Sequence, residues 1–294
     1  MMDFAYHVVD VFTQQPLEGN PLAVFSDARG LDAATMQQIA RELNLSETTF
    51  VLPADSAAAA ARVRIFTPAS EMQFAGHPTI GTAYVLRRIG RVPADATEFV
   101  FEEGVGLVAV RVESGGDPMI WLTTPPITKG RTYEHADCAR VLGLDPADLL
   151  ADVPCEVLSA GNPNLYVAVA TADVVDRIRI DATALQALFA DEPAPVCLFA
   201  FAPVPNGAYS RMFAPALGVT EDPATGSATG PLAAFMMEHG LAPATDGTRF
   251  VSEQGTKMCR RSLLHVLIHG EHGREAIEVG GHVAPIAVAT LTLP

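Results

Sequence analysis

The chain opens on FAYHVVDVF, from Phe4 to Phe12, where β-branched and aromatic residues predict a strand. A loop with Pro16, Gly19 and Pro21 follows, and Leu22 to Phe25 reads as a second short strand. Met36, Ile39, Ala40 and Leu43 then recur at helical spacing, which predicts an amphipathic helix starting near Asp32. TTFVLP and ARVRIFTP read as strands. In FAGHPTIGTAYVLRRIG, Pro78 suits a first helical turn because its missing N–H has no partner to lose there. Gly90 suits the turn that ends this helix, after Arg87 and Arg88 in the favourable last turn. TEFVFEE, GLVAVRVE and PMIWLTTP are further strands.

The second half repeats the theme. CARVLGL and ALQALFA read as helices, and NLYVAVA, VCLFAFAP and SRMFAPA as strands. DPATGSATGPLAAFMMEHG has the layout of the earlier FAGHPTIGTAYVLRRIG: small residues and glycine at a helix start, an apolar body and a closing glycine, Gly240. LLHVLIHG, AIEVGG and APIAVATLTL close the chain as strands. The expectation is an α+β fold of two similar halves, each with a helix against a curved, mostly antiparallel sheet. The boundary is expected near Pro125–Pro126, giving 1–126, completed by a C-terminal strand at 283–294, and 127–282.

Composition narrows the function classes. The 294 residues are 49% hydrophobic and only 18% charged, which supports a large core and argues against disorder. A net charge of -15 disfavours nucleic acid and anionic membrane surfaces as partners. The N-terminus lacks a signal-peptide pattern, and no run is long enough to predict a membrane span. Cys138, Cys155, Cys197 and Cys259 have no CxxC spacing, so the reading is reduced thiols in a cytoplasmic protein, with no zinc site. His265, His269, His272 and His282 are scattered over strands and a turn, and no metal site is expected from them. P-loop, GxGxxG, HExxH and GxSxG motifs are absent.

The candidate chemistry gathers at the two glycine-bearing helix starts. A helix N-terminus exposes unpaired N–H groups and carries partial positive charge, and glycine admits a ligand close to the backbone. Gly76-His77 and Gly226-Ser227 therefore offer anion sites in an acidic protein; tight-turn glycines in two packed helices are the equal alternative. Glu47 lies between a helix and an apolar strand. Partial burial there would suit it to acid/base work, although most glutamates so placed are solvated. His77 is a proton shuttle, an orienting group or a packed histidine. Asp222 is a helix cap, a second acid/base or a partner for His77.

Four segments together resemble the PhzF-like family: GNPLAVF, LNLSETTFV, RIFTPASEMQFAGHPTIGTA and SRMFAPALGVTEDPATGSATGPLA. They occur in the family's order and span nearly the whole chain. The resemblance implies a diaminopimelate-epimerase-like fold with two pseudo-symmetric halves around central helices, an active site in the cleft between them, a homodimer, and no cofactor or metal. It implies Glu47 as the glutamate that moves a proton, with His77 and Asp222 as its catalytic companions. Asn20, Gly76, Gly226 and Ser227 match substrate-binding positions. The implied activity is cofactor-independent isomerisation of a small carboxylate such as trans-2,3-dihydro-3-hydroxyanthranilate. Epimerases and racemases of this fold place a cysteine at each helix start; here Ala75 precedes Gly76, and no cysteine lies between Glu221 and Gly230. The chain departs from the family in EQGTKMCRRS, where Cys259 and Arg261 replace a usual glycine and proline, and at Leu217, which replaces an aromatic residue.

Overall fold

A computed structural model describes residues 1–273 and 275–293. The chain divides into two compact units, Met1–Thr123 with Gly280–Pro294, and Thr124–Val279. The first contains β1 (Met2–Val11), β2 (Asn20–Phe25), α1 (Ala33–Leu43), β3 (Glu47–Leu52), β4 (Ala61–Phe66), β5 (Glu71–Met72), α2 (Gly76–Arg88), β6 (Glu98–Glu103), β7 (Gly106–Val112) and β8 (Ile120–Thr123). The second contains β9 (Thr128–Tyr133), α3 (His135–Leu142), β10 (Cys155–Ser159), β11 (Pro163–Ala168), α4 (Ala172–Arg177), α5 (Ala182–Leu188), β12 (Cys197–Val204), β13 (Gly207–Ala214), β14 (Val219–Asp222), α6 (Gly226–Glu238), β15 (Arg249–Gln254) and β16 (Ser262–His269). β17 (Ala276–Gly281) leads back, and β18 (Val283–Leu293) pairs with β1 in the first unit.

The two units share one pairing scheme. In the first, β1 runs antiparallel to β2, β2 parallel to β3, β3 antiparallel to β4, β4 parallel to β6, and β6 antiparallel to β7. In the second, β10 to β11, β11 to β12, β12 to β13, β13 to β15 and β15 to β16 repeat the same senses in the same order. The fold is therefore mixed α+β with two pseudo-symmetric halves. The parallel pairs enter because helices lie between their strands, and such crossovers carry the chain back to the same end of the sheet.

Sequence explains the placement of the central helices. In α2, Ile80, Thr82, Ala83, Val85 and Leu86 are all buried, so the helix is enclosed rather than surface-lying. Gly81 permits this. A Cβ there would lie 2.6 Å from Leu22 Cδ2 and 2.9 Å from Val11 Cγ2. Gly230 does the same for α6, where a Cβ would lie 2.1 Å from Thr124 Oγ1. Around α6 the core is aromatic, with Tyr166, Phe199, Phe201 and Phe235. α1 instead shows a single buried stripe, Met36, Ile39 and Ala40, packed on Phe25, Phe50 and Phe66. Among the described residues, no helix is long and apolar enough to cross a membrane.

Candidate active site

The helices divide by how they begin. Asp32, Thr171 and Asp181 cap α1, α4 and α5 with side-chain oxygens. The N-cap residues of α2 and α6, Ala75 and Thr225, make no such bond, and α3 lacks one as well. The first N–H groups of α2 and α6 thus have no side-chain cap, and Gly76 and Gly226 are the first residues of those turns.

In the first unit, three sequence-predicted residues meet at the start of α2. Glu47 opens β3 and sits opposite Leu22 on the parallel strand β2, which Asn20 opens. His77, the second residue of α2, points its ring at both. His77 Nε2 lies 3.0 Å from Glu47 Oε2, and their side chains are only 6% and 14% exposed. On the other side of the ring, Asn20 Nδ2 lies 3.4 Å from His77 Nδ1. An amide N–H can only donate, so in that contact Nδ1 accepts, which in the neutral ring leaves the proton on Nε2. Glu47 Oε2 and His77 Nε2 lie close but are not aligned as a hydrogen bond, and among the described residues neither has another hydrogen-bond partner. Next to them, Thr48 Oγ1 is buried with no hydrogen-bond partner.

In the second unit, Asp222 ends β14 and Ser227 is the second residue of α6. Asp222 is not the helix cap; that position is Thr225, and the Thr225 hydroxyl donates to Asp222 Oδ2 at 2.5 Å. Gln254, buried at the end of β15, braces the loop. Its Oε1 accepts from Thr225 N at 3.1 Å, while its Nε2 donates to the Asp222 carbonyl at 2.7 Å and to Thr225 Oγ1 at 3.0 Å. Tyr166 O–H donates to the Ala228 carbonyl at 2.7 Å and fixes the first turn of α6. A bidentate pair between Arg211 and Glu221, both N–O distances 2.8 Å, fixes the strand leading to Asp222. Sequence reasoning missed these bracing residues. Their signal is tertiary, since a buried glutamine at a strand end has no local pattern of its own.

Cys138, Cys155 and Cys197 are buried and Cys259 is exposed; none stands at either helix start. Burial, and then the charge of Asp222, push the Cys197 thiol up to about 12. Glu156, Glu238 and His239 bring ligand atoms within 4.8 Å of one another. The Lys129 ammonium already pairs with Glu238 and lies 3.8 Å from Glu156.

The family model for the phenazine biosynthesis-like proteins matches residues 9–289. The chain belongs to this family. It is 35% identical, over 98% of its own length and 99% of the relative's, to trans-2,3-dihydro-3-hydroxyanthranilate isomerase of Pseudomonas fluorescens. A Bacillus anthracis PhzF-family protein of known structure superimposes with a TM-score of 0.90 over 100% of both chains, at 25% identity. A Pseudomonas aeruginosa protein described as a predicted epimerase superimposes with a TM-score of 0.84 at 35% identity, covering 99% of this chain and 100% of that one. With relatives of this kind along its whole length, the chain is a PhzF-like isomerase.

Proposed function

We propose that this isomerase shifts a proton on a small cyclic carboxylate of the trans-2,3-dihydro-3-hydroxyanthranilate type, without a cofactor, using Glu47 as both acid and base. The observation that carries the reading is the buried contact of 3.0 Å between Glu47 Oε2 and His77 Nε2. It sets one buried carboxylate directly against an imidazole ring. In the reaction, Glu47 takes a proton from one ring carbon as the C–H electrons move into the conjugated system. It then returns that proton to a second carbon, restoring its own charge. One group serves because the proton leaves and re-enters the same substrate. We assign His77, whose Nε2 lies 3.0 Å from the carboxylate, to stabilising the charge of Glu47, with Asn20 at the other ring nitrogen. We assign the uncapped N–H groups at Gly76 to substrate binding in the first unit, Gly226 and Ser227 to substrate binding in the second, and Asp222 to a supporting catalytic role. The working unit in this reading is a cytoplasmic homodimer.

An epimerase reading has one observation in its favour, the description of the Pseudomonas aeruginosa relative. Against it, Ala75 and Thr225 occupy the helix starts where two-thiol epimerases need cysteines. Incubation with trans-2,3-dihydro-3-hydroxyanthranilate, followed by absorbance, tests the substrate assignment. Substrate loss is expected. No loss from folded protein, together with racemisation of a chiral amino acid seen by polarimetry, would overturn the assignment in favour of the epimerase.

A further inference from the structure

The matched pairing schemes give each strand of the first unit a counterpart in the second. β6, after α2, corresponds to β15, after α6, and the chain reads FVFEEG at 99–104 and FVSEQG at 250–255. Glu103 thus occupies the position of Gln254. Gln254 is the neutral brace of the α6 start, with three hydrogen bonds to the 222–225 loop. Glu103 stands at the same place against α2, 6% exposed, with its Oε1 2.7 Å from Thr79 Oγ1.

The single hydroxyl hydrogen of Thr79 cannot serve both of its short contacts. Thr79 Oγ1 is also 2.8 Å from the carbonyl of Ala75, the residue that precedes α2. A hydroxyl has one hydrogen, and a carbonyl oxygen has none to give. If Thr79 donates to Ala75, as its counterpart Thr229 does to Thr225 at 3.0 Å, then the short contact with Glu103 needs a proton from the carboxyl. The other oxygen, Oε2, is buried with no hydrogen-bond partner, a costly place for a full negative charge. Among the described residues, no cation pairs with Glu103. Of the charged side chains that line the same cavity, of about 460 Å³, Arg62 on β4 pairs with Asp55 and Arg64 pairs with Glu71 on β5. Glu102, on its own strand, accepts from the N–H groups of Asp55 and Ser56. His77, the titratable group in the first turn of α2, is engaged with Glu47.

We propose that Glu103 works as an uncharged carboxylic acid, a positioning residue whose O–H donates to Thr79 and so holds the first turn of α2, and with it His77, against Glu47. Burial places its pKa at about 8, so the proton is present at neutral pH and lost in mild alkali. Once the proton is gone, the Thr79 hydroxyl turns to the carboxylate and releases the Ala75 carbonyl, and the start of α2 loosens. Glutamine supplies the same donor without a titration, as Gln254 does in the other unit.

The inference rests on the assignment of Glu47 and His77 given above, and two of its three tests need no substrate. Infrared spectra of the wild type at pH 6.5 are expected to contain the carbonyl stretch of a protonated carboxylic acid. Glu103→Gln should lack it, and it should fade in the wild type as the pH passes 8. Thermal melts from pH 5 to 9 are expected to show wild type losing stability relative to Glu103→Gln as pH rises. In turnover assays Glu103→Ala should lower kcat at neutral pH more than it changes KM. Glu103→Gln should restore kcat and abolish the alkaline fall in rate. The absence of that infrared band, or parallel melting profiles for wild type and Glu103→Gln, overturns the proposal even if the substrate proves to be a different acid. A band and diverging melts with no change of turnover in Glu103→Ala would keep the neutral acid and refute its link to His77.

Discussion

The two units carry different chemistry on one scaffold. The parallel registers align Leu22 with Glu47 in the first unit and Asn164 with Cys197 in the second, so the counterpart of Glu47 is Cys197. The counterpart of His77, as second residue of the central helix, is Ser227. One unit thus presents a carboxylate 3.0 Å from an imidazole. The other has a buried thiol, held protonated by burial and the charge of Asp222, at the first of these positions and a serine at the second. A fold built as two repeats needs no second base when one group can take a proton and give it back. The duplicate position is then free to become core.

The strongest way to break this contrast is to remove the base from the unit that has it. Glu47→Gln is expected to lower turnover by about a thousandfold or more with little change in melting temperature. Asp222→Asn, in the other unit, should cost roughly ten- to a hundredfold. Steady-state rates on both variants check the order, and reversed magnitudes would reassign the base to Asp222.

The braces give the next test, because they differ by one amide. Gln254→Glu removes the donor to the Asp222 carbonyl and Thr225 Oγ1 and sets a second carboxyl beside Asp222. It should destabilise by about 2–4 kcal/mol in urea unfolding at pH 7. The reciprocal Glu103→Gln should cost less than about 1 kcal/mol at pH 6, since the amide donates to Thr79 as the acid does. Equal costs would mean that the two positions are not equivalent.

The pH dependence follows from the same difference. A carboxyl with an ordinary value near 4.5 and a folded value of about 8 keeps a proton that the unfolded chain releases. The term is fully favourable below 4.5, falls as pH rises, and has reached its lower limit above about 8; its size is on the order of a few kcal/mol. Urea midpoints of wild type and Glu103→Gln at pH 5, 7 and 9 should separate accordingly. The smallest effect concerns the thiols. Among the four cysteines only the exposed Cys259 should react quickly with a thiol reagent at neutral pH, and Cys259→Ser should leave turnover unchanged. Loss of turnover in Cys259→Ser would reopen thiol chemistry.

These contrasts also show what can be read before folding. The helix after Asp32, Pro78 in a first turn, and Gly90 and Gly240 at left-handed φ after α2 and α6 are all local signals, and the structure carries each of them. Glu47 and His77 were legible as candidates through motif and resemblance. Their contact was not, because it depends on the parallel pairing of β2 with β3 and on α2 lying over both. Glu103 and Gln254 were invisible for a further reason. FVFEE reads as an ordinary strand end, and only tertiary burial separates one glutamate from its neighbour Glu102. Asp222 read as a possible cap because aspartate favours that position; Thr225 holds it instead and uses its hydroxyl to bind Asp222.

The most direct test of the central claim is the fate of the migrating hydrogen. Wild type and Glu47→Gln would each be incubated with trans-2,3-dihydro-3-hydroxyanthranilate in deuterated water, and the product read by mass spectrometry and NMR. Product is expected from the wild type, with any deuterium at the single carbon that Glu47 reprotonates, and none from Glu47→Gln. Product formed by Glu47→Gln at a near-wild-type rate would contradict the central claim.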